Sequence, residues 1–322
     1  MAEDRFMVRM ASERDFPEIA DFFSQYNFGP KHLEWLQWKY VHNPDGKAII
    51  YVAVDSDDRI VSISPRTPRR FVSKEIGEFT VRQNVDLLVA DELRKTGVYA
   101  MISKQAGSER EYLLIGFPNK LSRRMVNEAN TYIAPIVNWV FPVIAGKAIG
   151  KKPSGFIAPL VNVLCRIYAF VRLGGMPNDI HMRPLERFVN DYNVPTPLIH
   201  GVRSAAYLNW RFIDNPMQKF HVYEFCENDE NIGYCAYKSR ESSAELYDFV
   251  VLRREKSCLR LLVEDFRRKG FTHLSFPGVH LHLERLGFFD RGSIGDFTSA
   301  KAKCTPPLPN GDWMVTFCDR DV

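Results

Sequence analysis

The stretch LQWKYVHNP, Leu36 to Pro44, recurs as LNWRFIDNP, Leu208 to Pro216. The two copies share Leu, Trp, Asn and Pro, and they pair Lys39 with Arg211, Tyr40 with Phe212 and Val41 with Ile213. The same spacing of 172 residues carries Tyr51 to Tyr223 and Ile60 to Ile232, so the match continues beyond Pro44 and Pro216. There AIIYVAVDSDDRIVSI and FHVYEFCENDENIGYC each run through apolar alternation, an acidic turn and a second apolar run, which is the pattern of a β-hairpin. A later pair, LLIGFPNKL around Phe117-Pro118 and HLSFPGVHL around Phe276-Pro277, sits at a different spacing, as loops of unequal length would produce. A chain with this pattern is constrained to build one arrangement twice.

Helical periodicity in Glu13 to Phe23, Lys31 to Tyr40, Arg94 to Ala106 and Leu259 to Lys269 completes the reading. Each half runs helix, hairpin, longer strand, helix, strand, helix, strand. At 322 residues the chain has the length of roughly two domains of about 150 residues. The expected fold is α+β, with tandem domains over 1–135 and 179–322, each a mixed, mostly antiparallel sheet flanked by helices, and an apolar helical linker over 136–178. Trp35, Trp38 and Trp210 read as packing anchors, because matched positions in both halves serve the fold. The Asn-Pro pair then ends the helix.

Composition excludes several classes. With 45% hydrophobic and 25% charged residues the chain is ordinary globular material. The net charge is +4, and the basic clusters at 66–70, 120–124 and 147–152 are short, so solvated surface is expected rather than a nucleic-acid groove. Six cysteines without CxxC spacing point to reduced thiols. The start, MAEDRFMVRM, carries acids and no long apolar core, unlike a secretory signal, and a cytoplasmic location is expected. Tyr132 to Leu173 stands apart as two apolar pieces, YIAPIVNWVFPVIAG and GFIAPLVNVLCRIYAFVRL. Pro159, Asn162 and Arg166 interrupt the second, which argues against a lipid-exposed span. The expectation is a helix packed between domains, with a peripheral membrane-surface or partner-docking helix as the alternative, since one apolar face suffices for either.

Chemistry concentrates in TVRQNVDLLVADELRKTGVYAMISKQ, Thr80 to Gln105. An apolar strand over 81–89 is expected to lead through a turn into a helix that begins around Arg94, Lys95, Thr96 and Gly97. Such a junction suits an anionic ligand such as a pyrophosphate. The first helical N–H groups lack internal partners, the helix dipole is positive there, and a glycine permits close approach. The string Val85 to Tyr99 resembles the acetyl-CoA-binding motif of the GNAT N-acetyltransferases, in which a strand ends in an R/Q-x-x-G-x-G/A loop. Arg94, Lys95, Thr96, Gly97, Val98 and Tyr99 fill that loop, with Tyr at the sixth position. The resemblance implies a GNAT fold with acetyl-CoA, or another acyl-CoA, as cofactor. It also implies that the backbone of Leu87, Leu88 and Val89 faces the thioester and pantetheine, and that Asn119 of GFPN lies beside the pantetheine arm. Tandem proteins of this kind occur in bacteria, some tied to surface polysaccharide or amino-sugar pathways, so a small amine or amino sugar is the implied acceptor.

Acetyl transfer needs a base for the amine, donors for the oxyanion and an acid for the thiolate. The position at which the family often carries Glu holds Gln83, which leaves Asp86 and Glu78 as the nearest carboxylates. The helix after the GFPN strand offers Met125 where the family often has Tyr, which leaves Tyr99 or solvent as the acid. In the second half ELYDFVVL is followed by RREKSCLRLLV with no glycine in the loop, so that half is expected not to bind the cofactor. His280 and His282 lack a third metal ligand within reach, and Asp319 with Asp321 reads as a solvated tail. Two other readings remain: a non-catalytic binding protein on the same fold, and a peptidoglycan-type aminoacyl transferase.

Overall fold

The structure is a computed structural model that describes residues 5–26, 32–108, 113–120, 122–126, 131–144, 157–300 and 312–320. Its elements begin with β1 (Met7–Met10), α1 (Phe16–Gln25), α2 (Leu33–Tyr40), β2 (Ile49–Val54), β3 (Ile60–Ser73), β4 (Gly77–Asn84) and β5 (Leu88–Val89). Next come α3 (Val98–Ser108), β6 (Leu113–Gly116), β7 (Thr131–Pro142) and α4 (Ile157–Leu173). The rest comprises β8 (Ile180–Pro184), β9 (Ile199–Gly201), α5 (Ala205–Leu208) prolonged by a π turn over Asn209–Ile213, β10 (His221–Glu227) and β11 (Glu230–Arg240). It ends with β12 (Ser243–Val251), α6 (Glu255–Arg268), β13 (His273–Val279), β14 (Phe289–Ala300) and β15 (Trp313–Thr316).

Both expected hairpins form. β2 pairs antiparallel with β3, and β10 with β11. Their turns place Asp58, Asn228 and Asp229 at φ of 60°, 49° and 66°, the left-handed region that Asn and Asp tolerate best among side-chain-bearing residues. The strand expected over 81–89 is broken instead. β4 stops at Asn84, Asp86 takes φ 44°, and β5 resumes at Leu88.

The expectation of two separate sheets is corrected. One sheet runs β1-β2-β3-β4-β6-β14-β7-β13-β12-β11-β10-β8. β7, from the first half of the chain, pairs with β13 of the second, and β14, from the second half, pairs with β6 of the first. β7 and β14 pair with each other from Thr131↔Ala300 to Val140↔Phe289. The halves have thus exchanged one strand each. This overturns the helical reading of 136–142, the first part of the linker. An apolar run without clear period fits a buried strand as well as a helix, and Pro135 and Pro142 disfavour a helix interior. Residues 145–156 of that linker, Cys304, Asp321 and Lys31 lie outside the described residues.

A second path closes the sheet. β9 pairs with the outer end of β3, β15 pairs with β9, and β15 also pairs with β13. The strands β3, β4, β6, β14, β7, β13, β15 and β9 therefore form a closed barrel. It encloses a core shared by both halves, in which Trp313 packs 5.1 Å from Phe71 and 5.4 Å from Phe297, ring centre to ring centre.

The repeated tryptophans meet one another. Trp38 and Trp210 stack at 4.6 Å and 16°, and each indole N–H donates to the other's backbone carbonyl, at 3.1 Å from Trp38 and 2.9 Å from Trp210. They join the halves rather than anchoring each within its own.

Asp319, read as part of a solvated tail, is instead wholly buried, with 1% of its surface exposed. Its carboxylate accepts from Arg203 at 2.6 and 2.8 Å and from Arg69 at 2.9 Å. Arg203 also donates to Asp248 at 2.6 Å, and Arg69 to Asp45 at 2.9 Å. Gly201 is required here, because a Cβ would lie 1.9 Å from Asp319 Oδ1. Charges removed from water need such partners on every side.

Both couplings can be measured. Trp38→Ala should cost about 3–5 kcal/mol in urea unfolding, as should Trp210→Ala, and the double variant should cost less than their sum because each removes the same contact. Burial pushes the Asp319 carboxyl upward, but the charges of Arg203 and Arg69 outweigh it and bring it down to about 2. That lies below the unfolded value of about 3.9, so the stabilisation is present above about pH 4 and is lost as pH falls toward 2. Asp319→Asn should lose about 3–5 kcal/mol at pH 7 and flatten the acid limb of a stability-against-pH curve.

Candidate functional site

β4 and β6 run parallel from Val81↔Leu113 to Gln83↔Ile115 and then part. Beyond that point β5 keeps to β3. Ala90 N–H donates to Val61 O at 3.0 Å and Ser62 faces Val89, so alternation turns Leu88 toward β3 and directs the N–H and C=O of Leu87 and Val89 to the opposite, open edge. Asn84 is likewise turned from β3, since the neighbouring Val85 N–H donates to Pro65 O at 3.2 Å. The result is a wedge with backbone polar groups along one wall and Gly116 and Phe117 at the other.

α3 starts at the far side of this wall. Gly97, at φ 87°, immediately precedes Val98, whose side chain packs with Tyr51, Ala53, Ile102 and Ala106 and so fixes the helix start against β2. The expected helix over 94–106 therefore begins later, at Val98, and Arg94 to Gly97 form the turn before it. Arg94 is 2.5 Å from Asp91, with both side chains more than half exposed. Lys95 is exposed, and the Thr96 hydroxyl donates to Leu93 O at 2.8 Å. The structure therefore brings together Arg94, Lys95, Thr96, Gly97 and Val98 at a helix N-terminus and Leu87, Leu88 and Val89 on the wall leading to it.

The remaining sequence candidates fare differently. Glu78 lies five positions before Gln83 on β4, roughly 16 Å along the strand, and pairs with Arg70 at 3.2 Å, so it is placed away from the wedge. Tyr99 stands in the first turn of α3, at the helix N-terminus rather than where the strands part. Asn119 accepts from Ser122 N–H at 2.9 Å and caps the short turn Ser122–Met125, which assigns it a local role. Asp86 is at the strand break, and its Oδ2 accepts from Lys39 and, at 2.7 Å, from Tyr40. In the sequence Lys39 and Tyr40 stand out only as members of the repeat. Their spacing on α2 carries no sign that they reach a residue 47 and 46 positions away.

The second half builds the same wedge and fills it. β12 and β13 pair from Ser243↔His273 to Glu245↔Ser275 and then part. Into the gap comes the C-terminal chain. β15 pairs with β13 on one side, and Cys318 N–H donates to Tyr247 O at 2.9 Å on the other. Arg211, the twin of Lys39, donates to the carbonyls of Phe317 at 2.9 Å, Cys318 at 3.2 Å and Arg320 at 3.1 Å. Where the first half has its loop, Arg253 is matched by Glu227 and Glu230, and Arg254 by Asp179 and Glu227. The rings of His280 and His282 stack 6.2 Å apart, with His280 Nδ1 3.1 Å from Trp313 O.

A cleft of about 550 Å3 opens over the Trp38 and Trp210 pair, where sequence reasoning placed no site. Gln37 and Asn209, His42 and Asp214, and Pro44 and Pro216 line it as twins at the repeat spacing, which was its one legible signal.

No protein-family model matches the chain, and no curated protein matches it in sequence. Solved structures do match in three dimensions. A protein of unknown function from Enterococcus faecalis, described as a probable N-acyltransferase, superposes with a TM-score of 0.62 at 11% identity, over 91% of this chain and 71% of its own. A GCN5-related N-acetyltransferase from Anabaena variabilis gives 0.61 at 10% identity, over 91% and 72%. Another from Kribbella flavida gives 0.57 at 10% identity, over 94% and 72%. Each likeness spans both halves of the chain, and at these identities what it shows is the fold, that of the GCN5-related N-acetyltransferases.

Proposed function

We propose that the chain is an acyl-CoA-dependent N-acyltransferase made of two GNAT-like units, with the cofactor held by the first unit and a small amine, amino sugars among the class, as acceptor. The observation that carries this reading is the difference between the two wedges. One has, among the described residues, strand edges without a main-chain partner, a left-handed Gly97, and Arg94 and Lys95 exposed just before a helix N-terminus. In the other the protein's own chain fills the gap and no glycine stands in the loop.

The residues present fit acetyl-CoA. The N–H groups at the start of α3, with Arg94 and Lys95, would take the pyrophosphate, and the open edge of Leu87 and Val89 would take the pantetheine amides. When bound, the cofactor supplies an activated thioester carbonyl. The chain's part is to hold the reacting groups in line and to offer backbone N–H groups at the strand break, where Lys39 and Tyr40 fix the Asp86 turn. The second unit closes the barrel and braces the first through the tryptophan pair. A purely binding role has one observation in its favour: Gln83 stands at the last paired position before the strands part and cannot accept a proton.

Isothermal titration should show acetyl-CoA bound once per chain, with binding lost in Gly97→Glu and unchanged in Arg254→Gln. Absence of heat at millimolar cofactor would sink the reading, and binding without turnover over a broad amine panel would favour the binding role. Gln83, at the position where the strands part, cannot act as base, so in this reading solvent takes the amine's proton. The inflection in kcat/KM against pH should therefore move with the pKa of the amine supplied rather than stay at one value for all acceptors.

A further inference from the structure

α4 is fastened to the protein along one side. Cys165, Ala169 and Leu173 are buried against α6, the Tyr168 hydroxyl donates to Gly287 O at 2.6 Å, and Arg172 donates to Glu284 O. It does not lie between the halves, as the linker reading expected. The opposite side is just as apolar. Ile157, Leu160, Leu164, Ile167 and Val171 recur at alternating three- and four-residue steps, with Val163 and Phe170 beside them, and each is between 51% and 71% exposed. Phe289, 50% exposed and stacked on Tyr168 at 5.4 Å, extends the face onto β14. A helix apolar all round is stable in water only when something covers it.

We propose that this face docks on an anionic phospholipid surface. Charge is the first reason. No Asp or Glu occurs between Glu128 and Asp179, whereas Lys147, Lys151, Lys152, Arg166 and Arg172 do, and Arg166 is exposed at the edge of the apolar face. An apolar helix whose own charged residues, Arg166 and Arg172, are both cations matches a negative headgroup layer. Size is the second. Seventeen residues make a helix about 25 Å long, too short for a hydrocarbon core of about 30 Å, and among the described residues no helix is long and apolar enough to cross a membrane. A face about 25 Å by about 10 Å is also well below the roughly 800 Å2 per partner of a stable dimer. Lipids close round a small face without that minimum. The helix would lie in the plane of the headgroups, with the protein body standing where a peripheral helix normally has its polar side. The inference is independent of the acyl-transfer reading.

Sedimentation with vesicles tests it on the full chain. The protein should pellet about tenfold more with phosphatidylglycerol-containing vesicles than with pure phosphatidylcholine, and the excess should shrink as salt is raised. Leu160→Glu combined with Ile167→Glu, both exposed, should abolish pelleting while leaving the melting temperature unchanged. Wild type remaining in the supernatant with anionic vesicles would overturn the proposal, as would a double variant that pellets like wild type. A dimer in analytical ultracentrifugation that the double variant abolishes, with no vesicle binding, would assign the face to a second copy instead.

Discussion

Asp319 sits out of reach of solvent between Arg69 of β3 and Arg203 beyond β9, and every residue involved comes from a different part of the chain. Burying one carboxylate between two guanidiniums is unfavourable unless all the groups arrive together. Their arrival puts the C-terminal chain between β12 and β13, closes the barrel through β15 and β9, and ties the first half's β3 to the second. Asp45 and Asp248, with Arg70 donating to Asp45 at 2.9 Å, complete the charge balance, and the Tyr234 hydroxyl donates to Asp248 at 2.6 Å.

The same closure separates the roles of the two halves. Lys39 and Arg211 are twins at the repeat spacing and both are buried cations. Lys39 meets a side chain, Asp86, and so holds open a break in the strand. Arg211 meets main-chain carbonyls of the C-terminal segment and holds the gap shut. A duplicated position has thus been given opposite tasks by what lies within reach of its charge.

The repeat was legible because its signals are local: alternation, acidic turns and an Asn-Pro stop recur at one spacing. The hairpins and the strands at LLIG and HLSFPGV arise from such short-range chemistry, whereas α3 starts at Val98, later than the expected 94, where Val98 packs against β2. The candidate groove could be read in part for the same reason, since a glycine before a helix start is a local device. Which end of a strand or helix a side chain occupies could not be read from nearness in sequence: Glu78 stands at the far end of β4 beside Arg70, and Tyr99 at the start of α3 rather than where the strands part.

Residue order alone was enough to show that one stretch recurs at a spacing of 172 residues with a hairpin after each copy, and that a glycine precedes the later helix only in the first half. Long-range packing decided that the copies exchange β7 and β14, that Trp38 stacks on Trp210, that Asp319 is buried, and that the second groove is filled. The physical reason is range. Turn preferences and periodicity act over a few residues and leave their mark in a short window. Strand exchange, ring stacking and ion pairing are settled between groups more than a hundred positions apart, by which partners satisfy buried edges and charges at the lowest free energy.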